Sequence, residues 1–190
     1  PSYVLQRINH HIFKDVDLLQ KNIVSVTSHI RGKLEAAGTS DVDRKVLSFI
    51  TLKDSDLTYY FDGESYWRIS LFIEDAYTYE TVNPEYFEAM LADIPDTLGE
   101  TIPDFHNMEL RARQLDEAVA SDAAGRMAEK EVQEILQEML VHREEMCKAE
   151  KMHREGVLPK RICHCDTKVN NMMFDASGEV LCVIDLDTVM

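Results

Sequence analysis

The sequence predicts a mixed α+β fold. Three observations carry that expectation: an opening segment that alternates as a strand does, two long stretches with apolar residues at helical spacing, and short apolar runs near the end joined by a turn. In "PSYVLQRIN", Tyr3, Leu5 and Arg7 fall on one side and Val4, Gln6 and Ile8 on the other, so Arg7 projects from one face of a sheet. From Asp15 to Ala37, the residues Val16, Leu19, Ile23, Val26, Ile30 and Leu34 recur at helical spacing, and Gly38 is the stop signal. Two strands follow, around "LTYYFD" and "YWRISLFI", with Asp62 and Gly63 suited to the hairpin between them.

After Ile73 the composition changes. "EDAYTYETVNPEYFEAMLADI" is polar and then helical, and Ser121 to Glu155 reads as a long helix. Its apolar stripe contains Val132, Ile135, Leu136, Met139 and Leu140, and charges cover the other face, a pattern of packing rather than of ligand binding. His142 and His153 lie three turns apart, too far to share a metal. Gly156 and Pro159 end the helix. Three short apolar runs close the chain, "RICHC", "NMMF" and "EVLCVI", the last two joined by the turn "DASG". The expected division is a first part, 1–73, of strand, helix and hairpin, and a second, 74–190, mostly helical and ending in the acidic strand.

With 35 acidic against 20 basic residues and a formal charge of −15, the chain repels a phosphate backbone, which argues against polymeric nucleic acid as a partner. No apolar run approaches the roughly 20 residues needed to span a bilayer, and no signal-like segment opens the chain, so a soluble, cytoplasmic protein without a membrane partner is expected. The 190 residues, 45% of them hydrophobic, suffice for a core without disulfides, so Cys147, Cys163, Cys165 and Cys182 are expected as free thiols. Cys163, His164, Cys165 and Cys182 lack the spacing of common zinc sites.

The chemistry concentrates in "HCDTKVNNMMFDASGEVLCVIDLDTVM", from His164 to Met190. If "RICHC" is a strand, Asp166 follows it in a loop with Lys168, Asn170 and Asn171, while a second strand delivers Asp185 and Asp187 at its end. Carboxylates and an amide converging on one sheet edge suit a hard cation such as Mg²⁺. Singly, Asp166 and Asn171 are ordinary turn residues, and Lys168 and Arg7 ordinary surface charges. Jointly, His164, Asp166, Lys168 and Asn171 match HxDxKxxN, followed by an aspartate at a strand end.

On these residues the chain resembles the protein-kinase-like superfamily, and within it the aminoglycoside and choline phosphotransferases. "YVLQRIN", "WRISLFIE", "HCDTKVNNMMFD" and "VIDLDTVM" are similar to the N-acetylhexosamine 1-kinases. The resemblance implies a protein-kinase-like two-lobe fold, with 1–73 part of the smaller lobe and 74–190 part of the larger. It also implies phosphoryl transfer from ATP, with Mg²⁺, to a hydroxyl of a small molecule. An amino sugar such as an N-acetylhexosamine is the implied acceptor, giving the anomeric 1-phosphate. Asp166 would orient the attacking hydroxyl or take its proton, and Lys168 would offset charge on the transferring group. Asn171 and Asp185 would hold the metal, and Asp187 would be a second ligand or a support. Phe72, Ile73 and Glu74 would form the hinge that meets adenine. Arg7 stands where the family places a phosphate-facing lysine, and the change alters contact geometry. No acidic partner for it stands out on the first helix, where Ser28 and Glu35 occupy plausible faces.

The seven glycines are scattered, so no phosphate-covering GxG loop is present. In the resembling family that loop precedes the strand of Arg7, and helices with sugar-binding residues follow the acidic strand. The chain is therefore expected to be the middle of a kinase, incomplete as a fold and slow or inactive alone. Three rival readings are a silent kinase-like binding module, a phosphatase using "VIDLDTV" with Asp185 as nucleophile, and a nucleotide-sugar transferase using the same acids for its metal. The remaining motifs of such phosphatases come after this one, where three residues remain, and the transferase reading leaves HxDxKxxN unexplained.

Overall fold

The computed structural model describes residues 1–78, 94 and 98–190. The chain divides into two compact units, Pro1–Ile102 with Ile162–Met190, and Pro103–Arg161. The division expected after Ile73 falls inside the first of these. Helix and sheet are both present, as the sequence predicts.

The first unit opens with β1 (Tyr3–Ile8), α1 (Val16–Ala36), the short α2 (Val42–Lys45), β2 (Tyr60–Phe61) and β3 (Tyr66–Leu71). Near the end of the chain come a 3₁₀ turn (Val169–Asn171), β4 (Met172–Phe174), β5 (Val180–Val183) and a second 3₁₀ turn (Leu186–Thr188). The three-stranded antiparallel sheet has the order β1-β3-β2, with Gln6 opposite Arg68 and Arg7 opposite Trp67. Its hairpin is fixed by Asp62, whose carboxylate accepts from the amides of Glu64 (2.9 Å) and Ser65 (2.7 Å) and from Trp67 Nε1 (2.7 Å). Gly63 takes a φ of +104° there, which a side chain rarely permits.

Helix α1 follows from its sequence at both ends. Asp15 caps it by accepting from Leu18 N at 2.8 Å. At the other end Gly38 is left-handed, and Gly38 N and Thr39 N return to the carbonyls of Glu35 and Leu34. Its stripe of Val16, Leu19, Ile23, Val26 and Ile30 is buried in one core cluster with Ile8, Val46, Met172, Phe174, Val183, Leu186 and Val189. Each such side chain contributes roughly 1.5–3 kcal/mol on leaving water. The core therefore joins the first strand and helix to the acidic end of the chain. Asn22, buried on α1, adds a polar clamp: Nδ2 donates to Val189 O (3.1 Å) and Gly99 O (2.6 Å), and Oδ1 accepts from Gly99 N (3.2 Å).

The second unit holds α3 (Met108–Ser121), α4 (Lys130–Met146) and α5 (Lys148–Arg154). The single helix expected over 121–155 is thus replaced by a helix ending at Ser121 and a new start at Lys130. Asp122 is left-handed at φ 40° and Gly125 at 64°, and the Asp122 carboxylate accepts from Arg126 N and Met127 N, so local turn bonds outcompete helix continuation. "RICHC" is not a strand either, and its last residue, Cys165, is left-handed at φ 63°. Cys163 exchanges backbone hydrogen bonds with Met190 instead (3.0 and 3.2 Å). The helix expected within 74–94 falls almost wholly outside the described residues. Among the described residues no helix is long and apolar enough to cross a membrane.

Candidate active site

The β4–β5 hairpin delivers the site. Asp175 closes its turn by accepting from Ser177 N (2.8 Å) and Glu179 N (3.1 Å), with Gly178 left-handed. Antiparallel pairing then continues one step past the strands, where Ile184 N donates to Asn171 O at 2.9 Å, so Asn171 and Asp185 become neighbours. Asp185 is left-handed (φ 59°, ψ 52°), which turns its side chain out of the strand direction. Such a conformation is uncommon outside glycine, and aspartate tolerates it better than most residues.

The Asp166 loop is tied to the same hairpin by His164. This side chain is 1% exposed. Its Nε2 lies 2.9 Å from Ile184 O and its Nδ1 3.4 Å from Asp166 N, a pair of contacts satisfied by the tautomer with the proton on Nε2. Thr188 Oγ1 donates to His164 O at 2.7 Å. The sequence marked His164 as a motif position and gave it no task; its task is to brace the loop against the strand that carries Asp185.

These constraints bring four of the expected residues into one hydrogen-bonded group. Lys168 Nζ lies 2.6 Å from Asp166 Oδ2 and 3.5 Å from Asp185 Oδ2. Asn171 Nδ2 donates to Asp166 O (2.8 Å) and Asp166 Oδ2 (3.1 Å). The Lys168 ammonium, with help from the Asn171 amide, holds the Asp166 carboxyl below its usual range, and Asp166 in turn raises the Lys168 ammonium. Asp166 is therefore an acceptor-only carboxylate at neutral pH.

Beside this group lies a cavity of about 350 Å³ whose lining includes Asn171, Asp185, Asp187, Arg68, Phe72 and Ile73. Two expected hinge residues thus border the space that the acids border. Glu74 is not in that lining; its carboxylate accepts from Ser2 Oγ at 2.9 Å. Arg7 is not brought to the group. Strand alternation puts it on the face opposite Gln6 and Arg68, where it lines a separate hollow with His10, His11 and Glu64. The cation that faces Asp187 is Arg68 on β3, missed in the sequence although it lies opposite Gln6, one position from Arg7. Its Nη2 sits 2.7 and 3.0 Å from the two Asp187 oxygens, and its Nε donates to Gln6 Oε1 at 3.2 Å. Burial pushes the Asp187 carboxyl up, and the Arg68 guanidinium opposes that shift.

No group of three or more His, Cys, Asp or Glu residues placed to hold a metal occurs among the described residues. None of the four cysteines is in a disulfide, and burial pushes Cys165 up to about 11 and Cys182 up to about 12, which disfavours the thiolates zinc requires. Mg²⁺ asks for less: one or two carboxylates, with the remaining positions filled by water and phosphate oxygens. Asp185 supplies a carboxylate. Asn171, whose Nδ2 is committed to Asp166, has its amide oxygen to offer, so the donor set fits that ion.

Comparison with known proteins bears on the fold and the family. A solved aminoglycoside phosphotransferase from Alicyclobacillus acidocaldarius subsp. acidocaldarius DSM 446 superposes with a TM-score of 0.53 over 98% of this chain at 14% sequence identity, a likeness of fold. The chain spans 57% of the length of that structure. The model of the phosphotransferase enzyme family (APH) matches residues 57–190, which contain every member of the hydrogen-bonded group as well as Arg68 and Asp187. By that match the chain belongs to the phosphotransferase enzyme family.

Proposed function

We propose that the protein transfers a phosphoryl group from ATP to a hydroxyl of a small molecule, with Mg²⁺ bound at Asn171 and Asp185. The observation that carries this reading is the single group made by Asp166, Lys168, Asn171 and Asp185 beside a cavity that Phe72 and Ile73 also line. Asp166 accepts a hydrogen bond from the acceptor hydroxyl, orients it and takes its proton as the bond to phosphorus forms. Lys168, half-exposed and already shared between Asp166 and Asp185, is the cation that turns from Asp166 toward the transferring group. The metal, when bound, neutralises charge on the phosphate oxygens. Asn171 orders the loop by holding both a backbone and a side-chain oxygen of Asp166. Phe72 and Ile73 offer the backbone edge against which an adenine would lie.

For the acceptor we propose an amino sugar of the N-acetylhexosamine type, phosphorylated at its anomeric hydroxyl. Support comes from the likeness of "YVLQRIN", "WRISLFIE", "HCDTKVNNMMFD" and "VIDLDTVM" to the kinases of that class. The test uses the natural full-length protein with Mg·ATP and, in parallel, GlcNAc, GalNAc, choline and an aminoglycoside. Transfer to the amino sugars is expected, and Asp166→Asn should lower kcat by about 10²–10⁴-fold. Transfer only to choline or the aminoglycoside would replace the sugar. An unchanged rate in Asp166→Asn would remove Asp166 as base. Absence of Mg·ATP binding would favour a silent kinase-like module.

A further inference from the structure

We propose that Arg68, not Arg7, is the residue that binds the nucleotide phosphates, held ready for them by Gln6 and Asp187; this rests on the phosphotransferase reading above. Arg68 is 7% exposed and its guanidinium has five N–H donors. Nε is taken by Gln6 and Nη2 by Asp187. Nη1 is buried and has no hydrogen-bond partner among the described residues. The Phe49 ring, 5.4 Å from the guanidinium carbon, gives the cation a face to lie on but no acceptor. A buried charged donor left without an acceptor is costly, so the arrangement calls for one more oxygen. Arg68 lines the same cavity as Asn171 and Asp185, the two residues that fit Mg²⁺. That cavity also has Asp185 and Asp187 on its wall, so an anionic phosphate needs a cation on the same wall to enter.

The pairing decides which residue positions which. Both Asp187 oxygens face one nitrogen of Arg68, so Asp187 is occupied as the carboxylate that sets the guanidinium plane. Gln6, directly across the strand pair, holds the adjacent Nε. This assigns Asp187 the part of an anchor for Arg68 and leaves Asp185 as the carboxylate for the metal. A small movement of the guanidinium within the cavity then presents Nη1 to a phosphate oxygen while both anchors are retained.

The experiment is calorimetric titration of the natural full-length protein with Mg·ADP and, separately, with adenosine, which lacks phosphate. Arg68→Met should weaken Mg·ADP by about ten- to a hundredfold, the loss of a charge-assisted contact, and leave adenosine within about twofold. Arg68→Lys should recover part of the loss, Gln6→Leu should cost a few-fold for Mg·ADP alone, and Arg7→Met should change neither ligand. Equal weakening of both ligands by Arg68→Met and by Gln6→Leu would make Arg68 structural and overturn the assignment. A Mg·ADP-selective loss in Arg7→Met would return the role to Arg7. If the unaltered protein binds neither ligand, the phosphotransferase reading itself falls and takes Arg68 with it.

Discussion

Two helices with similar sequence signals end up in different physical situations. Helix α1 and helix α4 are both amphipathic, of 21 and 17 residues. Eight residues of α1 are buried, and five of them, Val16, Leu19, Ile23, Val26 and Ile30, share a core with the strand and turns that carry the candidate site. No residue of α3, α4 or α5 is buried. Two ion pairs run between α3 and the later helices: Arg143 pairs with Asp116 through two contacts of 2.6 Å, and Arg154 with Glu109 at 2.7 and 2.8 Å. Exposed pairs of this kind, screened by solvent, contribute far less than one buried leucine. An apolar stripe thus specifies a helix, but the energy it yields depends on what covers it.

The sharpest way to break this contrast is truncation. Leu19→Ala should cost about 2–5 kcal/mol in denaturant unfolding, whereas Ile135→Ala, 56% exposed on α4, should stay within about 0.5 kcal/mol. Equal costs would show that the second unit is as firmly packed as the first. Next in size is the polar clamp. Asn22→Leu strands the carbonyls of Val189 and Gly99, with an expected loss of about 1–3 kcal/mol and faster amide exchange in the turn 186–188.

Smaller still are the caps. Asp15→Ala should remove about 1 kcal/mol of global stability, while Asn107→Ala, the matching cap of α3, should fray that helix in amide exchange and leave the global transition in place. The smallest effect concerns pH and salt. Arg154 and Arg143 lower the carboxyls of Glu109 and Asp116, so the stabilisation they give is present above the unfolded values, about 4.3 and 3.9, and disappears as pH falls through the lower folded values. Protection of α3 amides, relative to their intrinsic exchange rates, should therefore fall below about pH 4, and modestly in about 1 M salt, with little change for α1.

Local rules made much of the first unit legible. The alternation of "YVLQRI", the 3.6-residue stripe of α1 with Asp15 and Gly38 at its ends, the Asp62–Gly63 turn and the "DASG" turn all have causes that act over a few residues. So does the motif register that singled out Asp166, Lys168, Asn171 and Asp185. Less legible was the break at 122–129, where Asp122 prefers to bond its own turn, and the loss of a strand at "RICHC", where a left-handed Cys165 carries no sequence signature. Arg68 was overlooked for a different reason. Its meaning comes from lying across from Gln6 on a paired strand and near Asp187, 119 residues away, and neither relation is written in its neighbours.

The sequence by itself determined the types of element, their caps and turns, and a catalytic-loop pattern specific enough to point to phosphoryl transfer, because those follow from periodicity, short-range hydrogen bonding and fixed spacing. Only the tertiary structure decided which cation meets which acid. Alternation along β1 separates Arg7 from Gln6, strand pairing sets Arg68 beside Gln6, and the core shared by α1 and the closing hairpin fixes Asp187 within reach. Those are relations between distant segments, and burial rather than local propensity selects among them.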